Sequence, residues 1–160
     1  MDIAEEIVKT TEEYCRQYCK NFDFGNLREK MIFAHCSEMY GQRRNNYNRI
    51  FKAKNKAGIY FFVDKASVIY IGQATLRSKN RKKWSLYNRV QQHLRRNDSG
   101  SRLKEFCVPL CSNDEIDVYI LPLIEKECTG LCRQNLLFLE SYLIGKYRSL
   151  YNFRTEEGQL

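Results

Sequence analysis

Two runs of β-branched and aromatic residues, Gly58-Ile59-Tyr60-Phe61-Phe62-Val63 and Val68-Ile69-Tyr70-Ile71-Gly72, are separated only by Asp64-Lys65-Ala66-Ser67. Such a pair has little choice of fold. Each run is too short for a helix and rich in stiff side chains that suit a pleated sheet, and the residues between them are turn formers, so the segment predicts an antiparallel hairpin. A two-stranded ribbon is marginal in water, and other elements must cover it. Residues 115–124 alternate, with Ile116, Val118 and Ile120 set against Asp117 and Tyr119, and predict a third strand with one wet face.

Helical patterns account for most of the rest. Residues 2–20 read as an amphipathic helix with Ile3, Ile7, Tyr14 and Tyr18 on one stripe, and a second helix is expected over about 27–39. Ser85 can cap a helix running to about Arg96, with Leu86, Val90 and Leu94 as its buried stripe. A short helix is expected over 101–107 and a last one over about 131–147. The expectation is an α+β fold: a small three-stranded antiparallel sheet flanked by helices, behind a helical N-terminal extension. The extension is taken as 1–57 and the domain proper as 58–160.

The 160 residues suit one domain, and 43% hydrophobic with 29% charged residues excludes a disordered or fibrous chain. No apolar run reaches the length of a membrane helix, and the first residues, Met1-Asp2-Ile3-Ala4-Glu5-Glu6, do not resemble a signal peptide. A cytoplasmic protein with no membrane partner is expected. The odd count of seven cysteines fits a reducing compartment.

The net charge of +8 is unevenly placed. Residues 39–97 carry 15 Lys/Arg against the single acid Asp64, while the rest of the chain holds 12 Lys/Arg against 18 Asp/Glu. Solubility asks for mixed signs, whereas a concentrated positive field attracts polyanions. Nucleic acid is therefore preferred over an inert solvated face, and over an anionic membrane surface. Arg43, Arg44 and Arg49 in the extension, with Arg77, Lys79, Arg81, Lys82 and Lys83 in the basic loop 73–84, are the candidate contacts.

Two positions suggest chemistry. Glu140 falls among Leu136, Leu139, Leu143, Ile144 and Tyr147 on the apolar stripe of the last helix, where a carboxylate must be paired, protonated or bound to a cation. On helix geometry alone, an edge glutamate that reaches solvent or an arginine is the simpler account. Arg89 and His93 stand one turn apart in the basic half of the chain, beside an apolar stripe, and suit work on a phosphate better than a lone histidine would.

Gly58-Ile59-Tyr60 followed by Tyr70-Ile71-Gly72 resembles the GIY-YIG nuclease superfamily, and the likeness continues in order. Leu86-Tyr87-Asn88-Arg89-Val90-Gln91-Gln92-His93-Leu94 is similar to the family's arginine helix, Leu139-Glu140-Ser141-Tyr142-Leu143-Ile144-Gly145-Lys146-Tyr147 to its glutamate helix, and Leu150-Tyr151-Asn152 to its asparagine segment. The likeness spans about residues 57–155, and the histidine after the arginine resembles the restriction-enzyme branch. It implies a metal-dependent endonuclease acting on double-stranded DNA. Glu140 would hold one Mg²⁺ or Mn²⁺, and Tyr60 would act as general base or orient the water. Arg89 would neutralise the scissile phosphate, with His93 aiding Tyr60. Tyr70 would position phosphate or water, and Asn152 would support the site. Cutting palindromic duplex would favour two sites and hence a homodimer or transient pair. A homing, repair or phage-encoded nuclease shares the same core, and a non-catalytic nucleic-acid module on the same fold is the competing class.

Three features depart from the family pattern. The loop after Gly72 is long and basic. The proline often found before the family's asparagine is replaced by Arg148-Ser149-Leu150. Cys107, Cys111, Cys128 and Cys132 bracket the third strand at a spacing that could hold structural zinc or an iron–sulfur cluster, although buried free thiols are the commoner use of cysteine. Cys15, Cys19, Cys36 and His35 carry no such signal.

Overall fold

The structure is a computed structural model and describes residues 2–20, 22, 24–39, 44–65, 67–79, 82–94, 116–126, 128–149 and 152. Helix α1 (Ile3–Tyr18) leads through the single turn α2 (Leu27–Lys30) to strand β1 (Ile32–His35), the short α3 (Cys36–Met39) and a 3-10 helical segment, Arg44–Ala53. Strands β2 (Ala57–Asp64) and β3 (Ser67–Ala74) follow, then the small strands β4 (Arg77–Lys79) and β5 (Lys82–Trp84), helix α4 (Leu86–Leu94), strand β6 (Ile116–Ile124) and helix α5 (Gly130–Tyr147). The expected short helix at 101–107 lies outside the described residues.

The main sheet has four strands in the order β1-β6-β2-β3, every neighbouring pair antiparallel. The expected three-stranded sheet gains β1 from a segment whose apolar spacing reads as helix. Ile32 and Ala34 are buried while Phe33 and His35 are half-buried, which is the period of a strand. Pairing with β6 satisfies the open edge of that strand, a long-range contact that outweighs local propensity. His35 Nδ1 lies 2.5 Å from Asp117 Oδ1 in the register pair His35–Asp117 and pins the alignment. β6 is consequently an interior strand: it alternates as expected from Ile116 to Ile120, with Asp117 and Tyr119 half-buried, and is buried on both faces from Ile120 to Leu123. The basic segment after Gly72 is also more ordered than a loop: β3 runs on to Ala74, and β4 and β5 form a separate hairpin in which Arg77 stands opposite Trp84.

The β2–β3 hairpin closes at Asp64–Ser67, where Lys65 adopts the left-handed backbone (φ 54°) of a two-residue turn. Its register slips between Phe62 and Val63, so that Phe62 pairs with Tyr70 and Val63 with Val68. Ile69 is the extra residue. Without this bulge Val68 and Tyr70 would share a face; with it, Val68 packs on one side and Tyr70 joins Tyr60 and Phe62 on the other.

Helices cover both faces. α1, α2 and α5 pack on Ile59, Phe61, Val63, Ile71 and Leu121 through Ile7, Leu27, Leu136, Leu139 and Leu143. α4 and the 3-10 segment close the other side through Leu86, Val90, Ile50 and Ala53. Residues of the 1–57 extension thus contribute a strand and core side chains to both layers. The predicted stripe of α1 is shifted: Ile7 is buried with Val8, Thr11 and Cys15, while Tyr18 is 60% exposed and tilts against Tyr14, which stacks on Tyr142. Among the described residues, no helix is long and apolar enough to cross a membrane.

Candidate active site

Tyr60 stands on β2 directly opposite Gly72 on β3. A Cβ at residue 72 would lie 2.3 Å from Cζ and Oη of Tyr60, so the tyrosine ring lies across the bare glycine backbone. At residue 58 a Cβ would meet the carbonyl oxygen of Leu121 at 2.1 Å, where the β2–β6 register slips. The two glycines of the paired tripeptides therefore have separate steric reasons: one seats Tyr60, the other lets β6 approach β2.

Tyr60 is 1% exposed and Tyr70 5%. Helix α4 is fastened above them at its first turn. Leu86 N donates to Lys56 O, and both N and Oγ of Ser85 donate to Asn88 Oδ1 at 3.0 Å, a side chain reaching back over the helix start. Ser85 is thus the helix-start residue the sequence indicates. That anchoring places Val90 and His93 against the sheet and leaves Arg89 half-buried at its edge.

Tyr60, Tyr70, Arg89 and Glu140, from β2, β3, α4 and α5, line one cavity of about 370 Å³. Glu140 is half-buried beside the buried Leu136, Leu139 and Leu143, so the carboxylate sits at the margin of the apolar stripe and faces the cavity. Arg89 interacts with both tyrosine hydroxyls and donates to Gln92 Oε1. Burial works against its charge, and the two hydroxyls more than offset that, so its pKa moves up. Burial pushes the Tyr60 hydroxyl well above its usual value; Tyr70 and Glu140 add to the rise and Arg89 opposes it.

His93 does not project into the cavity with Arg89. It is 1% exposed, packed among Tyr60, Phe62 and Tyr70, with Nε2 2.7 Å from Tyr60 Oη. It stands behind the two tyrosines, in ring contact with both. Asn152 also lies off the cavity. Its Oδ1 accepts from Ile71 N (2.8 Å) and its Nδ2 donates to Ile71 O (2.9 Å), so it binds the outer edge of β3 next to Tyr70. Ser149 Oγ donates to the same Oδ1 and fixes the amide.

Of the basic candidates, Arg77 reaches the cavity. Arg49 is exposed and 3.4 Å from Glu38. Arg44 begins the 3-10 segment, and Lys79, Lys82 and Lys83 belong to β4 and β5, while Arg43 and Arg81 lie outside the described residues. The sequence reading missed Gln73, Thr75 and Trp84, which also line the cavity. The signal for them is weak: alternation carried past Gly72 through 73, 75 and 77.

Among the described residues the site offers one carboxylate, Glu140. Among the described residues no group of three or more His, Cys, Asp or Glu is arranged to hold a metal. A half-buried carboxylate facing an open cavity fits a cation held by one protein oxygen with water and substrate completing its shell; it does not fit an all-protein cage. Cys107 and Cys111 lie outside the described residues. Of the other two bracketing cysteines, Cys128 is buried and its Sγ accepts from Leu76 N at 3.5 Å. Comparison with protein-family models, with curated proteins and with solved structures finds no match to the chain.

Proposed function

We propose that this chain is a metal-dependent DNA endonuclease built on the GIY-YIG plan, hydrolysing a phosphodiester of double-stranded DNA in the manner of a restriction-type enzyme. The observation that carries the reading is the convergence of Tyr60, Tyr70, Arg89 and Glu140 from four separate elements on one cavity. The basic half of the chain supplies the field that draws a polyanion to it.

Arg89 binds a non-bridging oxygen of the scissile phosphate, its planar fork neutralising charge as it builds on the phosphoryl group. A divalent cation held by Glu140, Mg²⁺ by preference, would supply Lewis-acid charge to the same phosphate. Tyr60 holds the attacking water in line through its hydroxyl. Because burial keeps that hydroxyl protonated, it serves first as an orienting group. Any proton it takes from water must be matched by one passed on, and His93 Nε2 at 2.7 Å is the group in reach. Tyr70 steadies the phosphate from the neighbouring strand, and Asn152 steadies Tyr70 by holding Ile71. The attacking oxygen becomes bonded to phosphorus as the phosphorus–oxygen bond to the leaving nucleotide breaks.

The test is incubation of supercoiled plasmid with the protein and Mg²⁺. Nicking or linearisation that disappears in Glu140→Ala, with DNA retardation retained, is the expected result. Plasmid that is retarded but intact with the unaltered chain would favour the non-catalytic module instead, and full cleavage by Glu140→Ala would overturn the site.

A further inference from the structure

The cavity is longer than the reaction needs. Besides Tyr60, Tyr70, Arg89 and Glu140 it is lined by Gln73, Ala74, Thr75, Arg77 and Trp84. Trp84 is the only tryptophan in the chain, and it is 44% exposed. Among the described residues no other ring stacks on it. An indole left in water forgoes substantial apolar burial, and its broad face is the surface on which flat partners stack. Its backbone is fixed on both sides: Trp84 pairs with Arg77 across the β4–β5 hairpin, and the next residue, Ser85, begins the anchored turn of α4. Gln73 lines the same cavity, and its Oε1, buried from water, has no hydrogen-bond partner among the described residues. A buried amide oxygen without a partner is uncommon and marks a place where a ligand group can supply one. The arrangement offers an aromatic platform, an amide that a side-chain rotation would present to a polar edge, and a guanidinium across the hairpin from the platform.

We propose that Gln73, Arg77 and Trp84 form a nucleobase subsite. It takes the base of the nucleotide beside the scissile phosphate, stacked on Trp84, with its edge on the Gln73 amide and a flanking phosphate on Arg77. This rests on the nuclease reading for the position of the scissile phosphate, and not for the subsite's chemistry. Each base has a π-face, so Trp84 gives position and tolerates sequence, while Gln73 can rotate its amide to meet a donor or an acceptor. A base seated there must leave its helical stack, so single-stranded nucleic acid enters more readily than intact duplex.

The experiment uses the full chain in EDTA, with Trp84 as its own fluorophore. A short mixed-sequence single-stranded oligonucleotide quenches the emission, whereas inorganic polyphosphate, which has charge and no bases, binds without comparable quenching. By anisotropy of a labelled oligonucleotide, Trp84→Ala binds about ten-fold more weakly and Trp84→Phe within about three-fold of the unaltered chain, the size expected of one lost base stack. Affinity for polyphosphate is unchanged in both. Equal quenching by the two polyanions, or undiminished oligonucleotide binding by Trp84→Ala, overturns the subsite. Cleavage of plasmid without base-dependent quenching sinks the subsite alone. Base-dependent quenching without cleavage sinks the nuclease reading and leaves the subsite standing.

Discussion

Phe61 and Phe62 are neighbours on β2, both wholly buried, and they enter different surroundings. Phe61 points into the layer of α1, α2 and α5, where Ile7, Leu27, Leu139, Leu143 and Leu121 pack without a buried charge among them. Phe62 points toward α4, into a layer that also holds Tyr60, Tyr70 and His93, with Gln91 Nε2 on Tyr87 Oη nearby. One layer is filled by shape and apolar area, each large side chain contributing about 1.5–3 kcal/mol. The other holds a hydrogen-bonded aromatic group whose members constrain one another and open on a cavity. The sheet thus separates what holds the fold from what the site needs, and among the described helices α5 serves both, through Leu139 on one side and Glu140 beside it.

That contrast can be broken from either side. Leu139→Ala, wholly within the apolar layer, is expected to cost about 2–5 kcal/mol in urea denaturation, with little change in cleavage per folded molecule. Gly72→Ala should cost about 1–3 kcal/mol, because the new methyl displaces Tyr60, but it should reduce cleavage far more than Leu139→Ala does. If the two variants lose cleavage per folded molecule equally, the division between the layers fails. His93→Phe keeps an aromatic ring among Tyr60, Phe62 and Tyr70 and removes the Nε2 partner of the Tyr60 hydroxyl. A loss of about 0.5–1.5 kcal/mol in thermal unfolding is expected, with a larger effect on the pH profile of cleavage. The smallest effect is alkaline. The folded state holds the Tyr60 proton more tightly than the unfolded chain, so this contribution is intact below pH 10.0 and is lost as pH rises beyond it. Tyr14, Tyr119 and Tyr147 are also pushed up by burial, so Tyr60→Phe should flatten the alkaline loss only in part.

The sequence made some of this legible and hid the rest for physical reasons. The β2–β3 hairpin was readable from two β-branched and aromatic runs around turn formers, and α4 and α5 from apolar residues at helical spacing. So were Tyr60, Arg89 and Glu140, through the spacing of a family likeness. The strand Ile32–His35 was not, since its four residues lie in an apolar stretch that fits either period, and its state is decided by β6, more than eighty residues away in sequence. The bulge at Ile69 was equally hidden, because it depends on pairing and not on composition. His93 shows the limit on the site: helix geometry put it one turn from Arg89, but only the packing of α4 on the sheet shows it turned behind Tyr60. Gln73 and Thr75 carry only a weak alternation past Gly72, and Trp84 none, so their place on the cavity becomes visible only when β3 and the β4–β5 hairpin are seen together.

Asn152 has a consequence beyond its neighbours. Strand β3 is the outermost of the sheet, and an unpaired outermost strand invites another chain to add itself there. The carboxamide, giving one bond and taking one at Ile71, imitates a single residue of a missing fifth strand. It blunts that rim at the residue next to Tyr70, so removing the C-terminal segment would expose a template for self-association and loosen a cavity-lining tyrosine in one stroke.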